Sequence, residues 1–467
     1  MKNFRYADLH CHPNLKTFGH SFDKRKSSKS DMWVQILPTF ITRKIHQLTG
    51  ITKFSQTSFT NMATAKAKII ILSLYPFEKG FFTNPKINPS VAAHLANWGI
   101  EIGYQRIRYL QKHIDYFKDL ENEYQFVLNS EKQHVIDGIT HHWQLTNSWQ
   151  DVETVLKLEN TIAVIISIEG AHVFNTGLSN FGVHPNEKEI LSNVLKVKKW
   201  KYCPLFIGLA HNFNNDLCGH ARSLQRIGNL VNQNNNLDNG LSNLGIKVIH
   251  ALLDNSNSRR IYIDLKHMSL LSRQEYMHLL ETDYKTQQIP LVVSHGSVTG
   301  LSLNGTSISS GCFDIFNTCN LNFYDEEIIA IAESGGIFAL QMDIGNNADL
   351  KKLKSNMPYI ANETPLRRSA KIIWNQLRHI AVILDRSELF AWGTTSLGSD
   401  FDGSINPFPR ILSVEGFEPM AKELVIFADD FLAGNSLRLT KNKELSAEKI
   451  IDLFLYSNAE KFLKEYF

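Results

Sequence analysis

Short apolar runs alternate with helical stretches along the whole chain, at 4–10, 67–75, 162–169, 205–211, 261–267, 290–295, 336–342 and 393–400. Parallel strands need a crossover of a dozen or more residues, so this alternation predicts a parallel sheet with helices outside it. Eight such units predict a (β/α)8 barrel of the TIM type. Amphipathic helices are expected at 101–118, 186–199, 272–281, 324–334, 365–384 and 446–465. Such a barrel builds its site at the C-terminal ends of its strands. Six segments carry a histidine or carboxylate at such an end: Asp8-Leu9-His10-Cys11-His12, Ile168-Glu169-Gly170, Leu209-Ala210-His211-Asn212, Ile263-Asp264-Leu265-Lys266-His267, Val293-Ser294-His295-Gly296 and Ser399-Asp400-Phe401-Asp402-Gly403.

These residue types point to a metal centre. Borderline metals such as zinc take imidazole and carboxylate ligands, and a dinuclear site needs about six of them. Side chains alternate along a strand, so His10 and His12 share a face while Cys11 points away. Asp8 lies on that face one step deeper, as an outer hydrogen-bonding partner. Glu169 closes the apolar run 163–168, where a carboxylate without a cationic partner is costly. Beside the histidines, a metal-bridging role is a better reading than an ion pair. His267 and His295 each end a strand and are expected as ligands in this company. Of the paired acids, Asp400 is expected to touch both metal and nucleophilic water, and Asp402 to stabilise the loop.

Of the 467 residues, 43% are hydrophobic and 20% charged, a composition that supports a large core. One barrel over 1–467 is expected. Lysine and arginine number 49 against 46 acids, a net charge of +3, so no nucleic-acid partner is expected. Cys11, Cys203, Cys218, Cys312 and Cys319 are few and lack CxxC spacing, which suits reduced thiols in a cytoplasmic protein. No secretory leader or lipid-anchor signal is evident and the apolar runs are strand-sized, so no membrane partner is expected.

Two segments read as insertions, at 14–62 and 212–245. The first carries Lys24-Arg25-Lys26-Ser27-Ser28-Lys29 and the second an asparagine-rich tract at 232–240. Polar tracts ordinarily remain solvated loops. Both begin directly after site residues, so a lid over the barrel mouth is the functional alternative. The 24–29 cluster is short and lacks interleaved aromatics, which argues against a nucleic-acid or membrane role.

The segments IEGAH (168–172), DLKH (264–267), SHG (294–296) and GSDFDG (398–403) resemble, in order and spacing, the signatures of the membrane (renal) dipeptidase family, zinc peptidases of the amidohydrolase-like superfamily. Leu377-Arg378-His379-Ile380 and the stretch 457–463 extend the resemblance. It implies one zinc held by His10, His12, Glu169 and Asp400, and a second held by Glu169, His267 and His295, with Glu169 bridging. It implies that His211 contacts the scissile carbonyl, that a metal-bridging hydroxide attacks the amide, and that Asp400 passes the proton to the leaving amine. The implied substrate is a dipeptide or similar small amide, and the implied assembly a homodimer. Three features depart from the family. His12 stands where an aspartate is usual, residues 296–366 hold no arginine for a substrate carboxylate, and the first loop is long.

Two other functions compete. Another dinuclear amidohydrolase, acting on a lactone, cyclic amide or phosphoester, would use the same barrel. Many of those bridge their metals with a carbamylated lysine, whereas the third strand here ends in Glu169. A catalytically weakened binding protein is the alternative from another class, and Asp400 and His211 argue against it.

Overall fold

The run Thr161–Ile168 is buried along its whole length, as a β-branched strand covered on both faces must be. In the structure, a computed structural model that describes residues 4–83, 87–224, 231–307, 315–356 and 363–467, it is one of ten strands. These are β1 (Tyr6–Cys11), β2 (Ala67–Leu74), β3 (Gln133–Ile136), β4 (Ile139–Leu145), β5 (Thr161–Ile168), β6 (Phe206–Gly208), β7 (Tyr262–Asp264), β8 (Val292–Gly296), β9 (Ile337–Leu340) and β10 (Thr395–Leu397). Eight of them close a parallel ring in the order β1-β2-β5-β6-β7-β8-β9-β10. Closure is set by Asp8 opposite Leu397, and by Ile69–Leu74 running in register with Ala163–Ile168. The (β/α)8 expectation holds, strand for strand.

The other two strands form a hairpin that periodicity did not suggest. Asp137 and Gly138 both adopt positive φ, at 50° and 80°, as a tight hairpin turn requires. The hairpin extends the sheet by pairing β4 with the first half of β5. The helix expected at 101–118 is broken in two, Tyr104–Lys112 and Tyr116–Asn129. Asp115 causes the break by capping the second helix through Lys118 N at 2.9 Å. The expected helix at 446–465 is interrupted by a π-turn over Leu453–Ser457.

Residues 14–62 are more ordered than their polar composition suggests. They form helices Leu15–Ser21, Phe40–Thr49 and Phe59–Thr64, with a 3-10 turn over Lys24–Lys29. Met32, Trp33, Phe59 and Met62 are buried in the main core, and Phe59 stacks on Trp143 at 4.7 Å. These anchors are isolated in sequence, so no periodic pattern announces them. Among the described residues Cys11, Cys203, Cys218 and Cys319 are free thiols; Cys312 lies outside them. No helix among the described residues is long and apolar enough to cross a membrane.

Candidate metal centre

Glu169 follows directly on β5, where Gly170 turns the chain away at φ 91°, a conformation open to glycine. Its carboxylate collects five imidazoles. His10, His211, His267 and His295 bring Nε2 to Oε1 at 3.5, 3.4, 3.6 and 3.5 Å, and His12 brings Nε2 to Oε2 at 3.2 Å. Asp400 Oδ1 lies 3.5 Å from His12 Nε2 and 4.0 Å from His10 Nε2. The six expected ligands and His211 therefore meet in one buried cluster at the C-terminal mouth, whereas Asp8 and Asp402 do not join it. Their donor atoms fall into two groups, His10, His12, Glu169 and Asp400, and Glu169, His267 and His295. Within each group the atoms lie within 4.8 Å of one another.

The strand ends hold these groups in place by hydrogen bonds across neighbouring strands. Asp8 stays outside the cluster and staples β1 to β10, accepting from Ser399 N at 2.8 Å, Ser399 Oγ at 2.5 Å and His10 N at 3.2 Å. Asp264 repeats the device between β7 and β8, accepting from Ser294 N at 3.0 Å and Ser294 Oγ at 2.5 Å. The Ser294 hydroxyl has one proton, given to Asp264, so it accepts from Nδ1–H of His295 at 2.8 Å. Nε2 of His295 is then the bare nitrogen that faces Glu169, the tautomer a metal ligand needs. His267 and Asp400 adopt φ of 67° and 58°. Such left-handed conformations are uncommon away from glycine and concentrate at functional sites.

The donor set fits a metal ion. Nε2 of His10 and His12 face each other at 3.1 Å, and Nε2 of His267 and His295 at 3.3 Å. Two bare imidazole nitrogens that close repel, so each pair calls for a cation. Burial would lower the His12 pKa, but its hydrogen bonds to Asp400 and Glu169 prevail and raise it to about 10. Burial, with His211 adding to it, lowers His267 to about 3, and burial with His10 pushes His295 well below the usual range. His12 thus attracts positive charge, while His267 and His295 present neutral lone pairs.

Two groups escaped the sequence reading, and both follow the strands to which it assigned no site residue. Glu78, just past β2, accepts from His211 Nδ1 at 2.7 Å, Tyr75 OH at 3.0 Å, and the backbone N–H of Asn212 and Phe213 at 3.1 and 3.0 Å. Burial would raise the Glu78 pKa, but His211 holds it down to about 2. His211, lowered by burial, is raised by Glu169 and Glu78 to about 10. Gln341, directly after β9, donates from Nε2 to Asp400 Oδ2 at 2.8 Å. Its Oε1 accepts from Asn346 Nδ2 at 3.0 Å and from the buried Lys266 Nζ at 3.3 Å. Two donors on the oxygen fix the amide orientation, so the N–H end must face Asp400. Asp402 turns away from the cluster, accepting from Lys16 Nζ at 2.8 Å and from the N–H groups of Gln56 and Thr57 at 3.0 and 2.9 Å. It ties the 14–62 segment to the barrel mouth.

The Glu78–His211 pair sets a pH window. A depressed Glu78 pKa stabilises the fold fully above about 4.5, and that contribution fades as pH falls toward 2. A raised His211 pKa stabilises it fully below about 6.5, fading as pH rises toward 10. The Glu78 shift reports its interaction with His211, complete between those ordinary values and on the order of 3 kcal/mol, whereas Glu169 is the larger cause of the His211 shift. Urea unfolding of the chelator-treated chain at stepped pH should show Glu78→Gln losing this stabilisation most within that window. A uniform offset at all pH values would remove the pair as its source.

No family profile matches the chain, and no curated protein matches it in sequence. Solved structures do. A metallopeptidase called dipeptidase AC superposes with a TM-score of 0.53 at 12% identity, over 100% of this chain and 99% of that one. The chain shares their barrel. A probable dipeptidase from Pseudomonas aeruginosa matches at 0.51 and 14%, over 99% and 95% of the two chains. A metallopeptidase from Rhodobacter sphaeroides, liganded with a phosphinate mimic of the dipeptide L-Ala-D-Ala, matches at 0.52 and 11%, over the full length of both. At such identity the likeness speaks for the fold, and the chemistry must be argued from the side chains of this barrel.

Proposed function

We propose that the chain is a metal-dependent dipeptidase that hydrolyses dipeptides or similar small amides with two zinc ions. The observation that carries this reading is the single buried carboxylate, Glu169, shared by two groups of imidazole and carboxylate donors. On this reading His10, His12, Glu169 and Asp400 hold one ion, and Glu169, His267 and His295 the other. Zinc bound there would supply an acidified water and polarise the amide carbonyl.

The protein groups do the rest. His211 gives Nδ1–H to Glu78 and turns Nε2 into the site, where it donates to the amide oxygen as negative charge develops. That donation is worth on the order of 3 kcal/mol. Asp400 accepts the proton of the attacking water at Oδ1, while Oδ2 remains held by Gln341, and returns it to the leaving nitrogen. Lys16, Gln56 and Thr57, gathered on Asp402, keep the first loop over the mouth and favour small substrates. The free thiols fit a cytoplasmic setting.

Metal analysis of the purified chain, followed by a dipeptide panel with L- and D-residues at the C-terminal position, tests the proposal. Two zincs per chain with dipeptide turnover are expected. The absence of arginine from 296–366 keeps one alternative alive, so lactones and cyclic amides belong in the same panel. Turnover of those without dipeptide cleavage would overturn the dipeptidase reading.

Gln341→Met is expected to weaken metal binding about 10- to 100-fold by releasing Asp400 Oδ2. Competition with a chromophoric chelator measures this, and unchanged affinity would show that Gln341 serves only packing.

A further inference from the structure

The metal centre leaves unused the basic cluster at 24–29 and the helix that follows it. Residues 15–53 hold eight lysines and arginines against Asp23 and Asp31, a net charge of +6. The whole chain carries +3, so everything outside this segment sums to −3. The excess positive charge of the protein is concentrated in one stretch.

The helix Phe40–Thr49 within it has well-defined ends, a capping box between Thr39 and Thr42 and a left-handed Gly50 at φ 75°. Its polarity is inverted. At about 100° per residue, Phe40, Ile41, Lys44 and Leu48 fall on one face and His46 on the opposite one. His46 is buried against Phe54. Phe40, Ile41 and Leu48 are 76%, 69% and 85% exposed, and Leu37 just before them is 64% exposed. A surface helix of a globular protein ordinarily turns such a stripe inward. The segment that carries this face also reaches the site, because Lys29, Ile36 and Phe54 line the same cavity as His12.

We propose, against the expectation of no membrane partner, that this face docks on an anionic lipid bilayer, because the apolar side chains that 24–29 lacks stand exposed on the helix that follows it. The helix lies flat in the headgroup region with Phe40, Ile41 and Leu48 toward the acyl chains, while Lys44, Arg43 and the 24–29 cluster meet the lipid charge. Ten residues span about 15 Å, too short to cross a bilayer and long enough to lie on one. Nucleic acid would satisfy the charge and leave the aliphatic side chains in water. A two-fold dimer through this face would set a +6 surface against its own copy.

Sedimentation of the full chain with phosphatidylcholine vesicles, with and without phosphatidylserine, tests the proposal without reference to activity. Binding to the phosphatidylserine vesicles is expected, steeply weakened by salt. The triple change Phe40→Ser, Ile41→Ser and Leu48→Ser should lower partitioning at least ~10-fold. Lys24→Glu with Lys29→Glu should do likewise, and the exposed positions should leave the melting temperature unchanged. Three results would overturn it: no sedimentation with anionic vesicles, equal binding by the serine variant, or a dimer in light scattering that the serine variant dissociates.

Discussion

Glu169→Gln is expected to strip both metals from the protein and lower turnover on the order of 10⁴-fold, as when members of one catalytic unit are removed. Glutamine keeps the volume and leaves the end of β5 undisturbed, so the loss reports charge rather than packing. Burial alone would make Glu169 hard to ionise, yet His211 and His10 hold its pKa well below the ordinary range. The anion is therefore what five imidazoles are gathered around. An amide offers one oxygen to that ring and turns N–H bonds at the remaining nitrogens, which are bare in the metal-binding tautomer. The stability readout is independent of substrate: a ligand present at about 1,000 times its Kd adds about 4 kcal/mol. Added zinc should raise the melting temperature of the wild-type chain and leave that of Glu169→Gln where it was. A variant that still carries two metals would remove Glu169 as the bridge, and the dinuclear proposal with it.

The barrel was legible because its strands are separated by crossover helices, and the run 163–168 has the β-branched texture of a strand covered on both faces. Convergence of the cluster followed from the same rule, since residues that end parallel strands meet at one mouth however far apart they lie in sequence. Glu78 and Gln341 were harder to see. Each stands past the strand it serves and acts on a neighbour from another element, His211 in one case and Asp400 in the other. Nothing in a local pattern distinguishes such a carboxylate or amide from a loop residue. The hairpin was announced by Asp137-Gly138, a two-residue signal easily outweighed by the longer periodicities around it. The 14–62 segment was misleading for a different reason. Its polar composition describes the 24–29 turn, whereas Met32, Trp33 and Phe59 fix the segment onto the barrel one at a time. The helix that carries the outward stripe of Phe40, Ile41 and Leu48 was not among those expected from the sequence, and periodicity would in any case give a face and not the direction it points.

Asp400→Asn separates the roles that Glu169→Gln removes together. Glu169, His267 and His295 form a donor group without Asp400, so the asparagine chain is expected to keep at least one metal. Gln341 Nε2 occupies Oδ2 at 2.8 Å, and only the carbonyl oxygen of asparagine can accept that bond. The amide Nδ2 must then take the place of Oδ1, 3.5 Å from His12 Nε2. A group with two N–H bonds and no basic lone pair cannot take a proton from water, so kcat should fall about 10²- to 10⁴-fold while KM changes little. Gln341→Met combined with Asp400→Asn sharpens the test. Once Nε2 no longer dictates the amide orientation, the asparagine oxygen is free to turn toward His12, and metal retention in the double variant should rise above that of Asp400→Asn alone without restoring kcat. Near-normal turnover in either asparagine chain would take proton transfer away from Asp400 and leave it a role in binding only.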